Sequence, residues 1–118
     1  MMVKYHKQLD RTFAALGDRT RRDLVSRLGG GSLTISELAR PLPMSLPAAI
    51  KHLDVLIEAG LITRVKSGRT VTCSLSADPI GQAASWLDAQ QRVWNEKFDR
   101  LDIYLHRIQH GDSDERPS

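Results

Sequence analysis

The sequence predicts a mainly α fold: a winged helix-turn-helix with a two-stranded β-hairpin wing, followed by a long C-terminal helix suited to dimerisation. Three observations predict it. Two short helices with their own start and stop signals stand close together between Thr34 and Gly60. The hydropathy period then changes from helical to alternating between Leu61 and Leu75. Beyond Asp78, apolar residues recur in steps of four and three for about 28 residues, the repeat of a helix that packs along one seam.

The first helix of the central unit starts at Thr34, because a Thr-x-x-Glu spacing with Glu37 lets each side chain satisfy a free backbone donor of the other residue. It places Ile35, Leu38 and Ala39 on one face. It must stop near Arg40, since Pro41 and Pro43 disfavour helical geometry in the residues before them. Ser45 supplies a second N-cap and Pro47 falls in the first turn, where its missing N–H is no loss. Ala49, Ile50, Leu53, Leu56 and Ile57 give this helix an apolar face, and Gly60 closes it. Val71, Cys73 and Leu75 then alternate with Thr70, Thr72 and Ser74, the pattern of a half-buried strand. Its partner runs from Leu61 to Lys66, joined through Ser67, Gly68 and Arg69.

The flanks are expected to complete one domain over residues 1–110, with a polar tail at 111–118. Tyr5, Leu9, Phe13 and Leu16 form a helical stripe, and Asp18 can cap a following helix that carries Leu24, Val25 and Leu28 and ends at Gly29, Gly30 and Gly31. After the hairpin, the apolar row runs through Ile80, Ala84, Leu87, Gln91, Trp94, Phe98, Leu101, Leu105 and Ile108. A helix of about 28 residues spans about 42 Å, longer than a domain this small can cover. Burial against a second copy is therefore expected, with Leu9, Phe13, Leu87, Trp94, Phe98, Leu101 and Leu105 at the interface.

Charge and composition narrow the function classes. The 118 residues carry a net charge of +3 and a pI near 9.4, which favours an anionic partner. The basic residues cluster in the central unit, whereas Asp112, Asp114 and Glu115 lie in the tail. Neither an apolar run long enough to span a membrane nor a charged-then-apolar leader is visible, so a cytoplasmic location is expected. The single cysteine, Cys73, reads as a small buried strand residue. No glycine-rich phosphate loop and no activated nucleophile point to an enzyme, and no cofactor is expected.

If the second helix enters a DNA major groove by its N-terminal end, Ser45, Leu46, Pro47, Ala48, Lys51 and His52 face the bases. Leu46 and Pro47 would contact thymine methyls, and Lys51 or His52 would read a guanine or a phosphate. Leu46 has a second reading, as an apolar cap against its own core. The wing offers Arg64, Lys66, Arg69 and Thr70, with Arg69 at the tip nearest a minor groove or backbone. Arg19, Arg21, Arg22 and Arg27 form another basic group, expected to pair within the chain with Asp18 or Asp23. A winged-helix module that binds protein instead of DNA is the rival from another class.

The segments AALGDRTRRDLVSRL and ISELARPLPMSLPAAIKHLDVLIEAGLITRVKSGRTVTCSL, with the long terminal helix, resemble the ArsR family of bacterial winged-helix transcriptional repressors. The resemblance spans about Leu9 to Arg107. Its most specific part is the SxxAxxxHLxxLxxAGL run, matched by Ser45, Ala48, His52, Leu53, Leu56, Ala59, Gly60 and Leu61. It implies a homodimer, held by the first and last helices, that blocks transcription at an operator, commonly at its own promoter. Metal-sensing members carry an ELCVCDL-like motif where this chain has Ser32 to Glu37, so Thr34 and Ser36 stand in place of cysteines. Hydroxyls do not bind soft metals as thiolates do. His106 and His110, four apart with Asp102 a turn earlier and with His6 from the first helix, keep a metal-responsive repressor open as an alternative, although no metal ligand is assigned.

Overall fold

The computed structural model describes residues 2–111, with side chains from 6 to 109. Of the tail expected at 111–118, residues 112–118 lie outside the described residues, as do the side chains of Tyr5 and His110. The chain divides into two compact units, Met1–Ala83 and Ala84–Ser118.

The first unit contains α1 (Met2–Leu16), α2 (Arg19–Leu28), β1 (Leu33–Thr34), α3 (Ile35–Ala39), α4 (Leu46–Glu58), β2 (Ile62–Ser67) and β3 (Thr70–Leu75). It also holds the start of α5 (Ala77–His106), after which one π-helical turn, Arg107–Gly111, follows. The caps form where the local signals place them. Asp18 Oδ2 accepts the Arg21 N–H at 3.1 Å and starts α2. Thr34 Oγ1 accepts from the Glu37 N–H at 3.1 Å while Glu37 Oε1 accepts from the Thr34 N–H at 3.0 Å, a complete capping box. Ser45 Oγ accepts from the Ala48 N–H at 3.3 Å and starts α4. Gly60, at φ +78°, turns the chain from α4 toward β2 through a backbone conformation that disfavours other residues.

The wing is an antiparallel hairpin in which Ser67 pairs with Thr70 across Gly68 and Arg69. Gly68 has φ +61° and no other residue in the turn has a positive φ, the glycine-first arrangement of a II′ turn. The sheet has a third strand that the alternation did not announce. Leu33 and Thr34 pair antiparallel with Cys73 and Thr72, so the strand order is β1-β3-β2. Two residues are too few to display a period.

Leu24, Leu38, Leu53, Leu56, Leu61, Ile62, Thr12 and Cys73 are fully buried. Leu9 is buried as the stripe requires, but beyond it the buried positions of α1 are displaced by one from the expected ones: Thr12 and Ala15 are buried, and Phe13 is 36 % exposed. Thr12 takes an inner position because its hydroxyl accepts from Gln8 Nε2 at 3.2 Å, which removes the penalty of burying a polar group unsatisfied. The burial of Leu9 corrects its expected place at an interface. Within one chain it is 5 % exposed, so it has little surface left for a partner. Cys73 is buried as expected, and burial pushes its thiol above the ordinary range.

In the second unit α5 continues as a helix whose apolar row is open to solvent. Within one chain Trp94 is 61 % exposed and Phe98 60 %, with Leu87, Leu101 and Leu105 close to half exposed. No helix among the described residues is long and apolar enough to cross a membrane.

These contacts set the expected stability changes. Thr34→Ala should lower unfolding free energy by about 1 kcal/mol and Leu53→Ala by about 2–5 kcal/mol, measured by urea denaturation. Backbone hydrogen bonding, from Thr34 to Glu37 and from Arg21 to Asp18, holds both carboxyls below their usual range. Their contribution is therefore present above the ordinary carboxylate pKa and is lost as the pH falls through the lowered folded values. Glu37→Gln should flatten the acid side of the stability-versus-pH curve.

Candidate nucleic-acid interface

One side of α4 is fixed inward by Ala49, Leu53 and Leu56, which leaves Ser45, Leu46, Pro47 and Lys51 exposed at its N-terminal end, with Ala48 half-buried. Leu46 is 52 % exposed, so it does not serve as an apolar cap against its own core. Its surface remains open for an apolar contact. Of the first backbone amides of α4, that of Ala48 donates to Ser45 Oγ and that of Ala49 to the Ser45 carbonyl, and Pro47 has none.

His52 differs from the expected outward-facing residue. Its side chain is 24 % exposed and its Nδ1 lies 3.2 Å from Arg21 Nη1 and 3.7 Å from Asp18 Oδ2. α4 is thus tied laterally to the start of α2. At its other end, Gln8 Nε2 donates to the Ala59 carbonyl at 2.8 Å, a link across 51 residues.

On the wing, Lys66, Arg69 and Thr70 are exposed, and Arg69 stands in the hairpin turn as expected. Arg64 Nη1 lies 3.9 Å from Asp54 Oδ1 of α4, with both side chains more than half exposed. A pair this long and this wet contributes little and leaves the guanidinium able to change partner. Arg69, Thr70 and Val71 share a groove of about 330 Å³ with Thr34, Ile35 and Ser36, between the wing and the start of α3.

Arg21, Arg22 and Arg27 of α2 donate within the chain to carbonyls, where pairing with the Asp18 or Asp23 carboxylates was expected. Arg21 Nε donates to the Ala15 carbonyl at 2.6 Å, and Arg22 Nη1 to that of Leu16 at 2.9 Å. Arg27 donates to the carbonyls of Leu38 and Glu37, each at 2.7 Å. The last carbonyls of α1 and α3 have no partner within their helices, and these guanidinium groups supply one. Sequence reasoning missed this role, and Gln8, because the partners are distant or become apparent only when the helices are packed.

Thr34 and Ser36 sit at the start of α3, and the Thr34 hydroxyl is engaged in the capping box. Among the described residues, no three His, Cys, Asp or Glu side chains gather in a way that could hold a metal ion.

The match to a helix-turn-helix domain family covers residues 16–65, the segment that contains α2, α3 and α4. The chain is 43 % identical over 89 residues to the HTH-type transcriptional regulator Rv2034 of Mycobacterium tuberculosis, covering 75 % of this chain and 80 % of that protein. A solved ArsR family transcriptional regulator shares 42 % identity with a TM-score of 0.71, over 75 % of this chain and 92 % of the other. The chain belongs to the ArsR family. The arsenical resistance operon repressor of Escherichia coli is a further relative, 35 % identical over 90 residues, or 75 % of this chain and 77 % of that protein. As an ArsR-family member with this fold, the protein is a DNA-binding transcriptional regulator and not an enzyme.

If Lys51 or Arg69 each neutralises one phosphate, Lys51→Ala or Arg69→Ala should lower the slope of log affinity against log salt by about 0.9. Fluorescence anisotropy over a salt series measures it, and an unchanged slope removes that residue from the phosphate contacts.

Proposed function

We propose that the protein is a homodimeric repressor that occupies an operator through the N-terminal end of α4 and the wing. The observation that carries this reading is the exposed set Ser45, Leu46, Pro47 and Lys51 on a helix whose opposite side is buried, in the same unit as a wing that exposes Lys66, Arg69 and Thr70. Leu46 and Pro47 offer apolar contact to thymine methyls, Ala48 allows close approach, and Lys51 and His52 supply polar contacts to guanine or phosphate. Arg64, Lys66, Arg69 and Thr70 position the wing on the backbone or in the minor groove.

Dimerisation is supported by the apolar row Leu87, Trp94, Phe98, Leu101 and Leu105, which keeps heptad spacing and is about half exposed or more throughout. Phe13 adds a further exposed ring on α1. A second copy offers the same row in return, as a two-fold interface requires. Two reading helices would then meet two half-sites about one helical turn apart. The E. coli relative is a repressor by name, which supports the same direction of control here.

The direct test is anisotropy binding to the DNA upstream of the protein's own gene and to a scrambled duplex. A repressor acting on its own promoter should prefer the upstream DNA by about a thousandfold or more at physiological salt. Equal affinity for both would reject self-regulation. Trp94→Glu should yield a monomer by sedimentation and lose tight operator binding. A variant that remains dimeric would take the heptad row out of the interface.

A further inference from the structure

The corner between α1 and α2 meets α4 at the His52 ring. Arg21 Nη1 lies 3.2 Å from His52 Nδ1, and a guanidinium can only donate, so Nδ1 must be the acceptor and the ring proton must sit on Nε2. Arg21 is itself held in place, because its Nε donates to the Ala15 carbonyl at 2.6 Å. Asp18 Oδ2 stands 3.7 Å from the same Nδ1, too far to bond the neutral ring but next in line for it. That carboxylate is anchored from the other side by the Arg21 backbone N–H.

We propose that Arg21 and Asp18 are positioning residues that hold neutral His52 as an Nε2–H donor toward DNA and exchange places on Nδ1 when the ring gains a proton, so that operator binding is coupled to proton uptake. The inference rests on the reading of α4 as the operator-contacting helix. An Nε2–H donor suits guanine N7 or O6, or a phosphate oxygen, and is mismatched to the amino groups of cytosine and adenine. On protonation Nδ1 becomes a second donor, the Arg21 bond is lost and Asp18 accepts in its place. Nearby phosphates favour the charged ring. The Asp18 carboxyl is held below the usual range, first by the Arg21 amide and further by the positive charges of His52 and Arg21, so it is ionised when needed. Ala48, Ala49, Val55 and Leu56, the neighbours of His52 one turn away on α4, are uncharged. Arg11 of α1 and Glu58 of α4 line a groove with Arg21 and are the charged groups on its other side.

Two measurements test it. A long-range ¹H–¹⁵N spectrum of the full chain without DNA, near pH 8, should show His52 as the Nε2–H tautomer; the Nδ1–H form overturns the proposal. Affinity for the preferred duplex should rise as the pH is lowered, by at most tenfold per unit for the one proton taken up. His52→Gln should lose that increment, since Gln keeps a donor and cannot titrate. Asp18→Asn, which can still cap α2, should weaken the increment. Specific binding with parallel pH profiles for the wild type and His52→Gln overturns the coupling alone. Loss of duplex preference at every pH overturns the parent reading and the coupling with it.

Discussion

Leu53 and Leu56, both fully buried on α4, decide which side of the reading helix stays outside. They share a core with Leu24 and Leu28 of α2, Leu38 of α3, and Leu61 and Ile62 at the start of the wing. Rotating α4 enough to hide Lys51 would bring these leucines into water, at about 1.5–3 kcal/mol for each. The exposed N-terminal end of α4 is therefore a consequence of packing, and the residues there were left free to vary in chemistry.

Short elements make helix ends the second constraint. α3 has only five residues, so nearly all its backbone groups lie at one end or the other. The Thr34 and Glu37 capping box serves its donors and Arg27 serves two of its acceptors. Arg21 and Arg22 do the same for the end of α1, and Gln8 for the end of α4. A positive net charge thus overstates the charge directed at DNA. Several of the arginines hold helices in place, while Lys51, Lys66 and Arg69 are exposed on α4 and the wing.

This division explains what could be read in the chain. The caps at Asp18, Thr34 and Ser45 involve residues three apart, so they are written locally and were legible. Gly60 and Gly68 were legible because a positive φ favours glycine. The apolar row of α5 was legible because its repeat persists over many turns. The strand Leu33–Thr34 was not, being shorter than one period. The buried side of α1 was misread by one step because Thr12 counts as polar until Gln8 is placed beside it. The expected base-reading residues were set by helix phase alone, which put Leu46 and Lys51 on the exposed side of α4 but could not show that His52 is held by residues from α2.

The same contacts constrain how a signal could reach the DNA-facing side. Thr34 is occupied as a cap, and Cys73 is buried with its thiol pushed toward the protonated form, which is the unreactive one. Thiol chemistry is therefore a poor entry point in this unit. α1, by contrast, is attached to both flanks of the reading apparatus: Gln8 bonds the end of α4, and the Ala15 carbonyl anchors the guanidinium that touches His52. A displacement of α1 would strain both links together, one at the C-terminal end of α4 and one along its side.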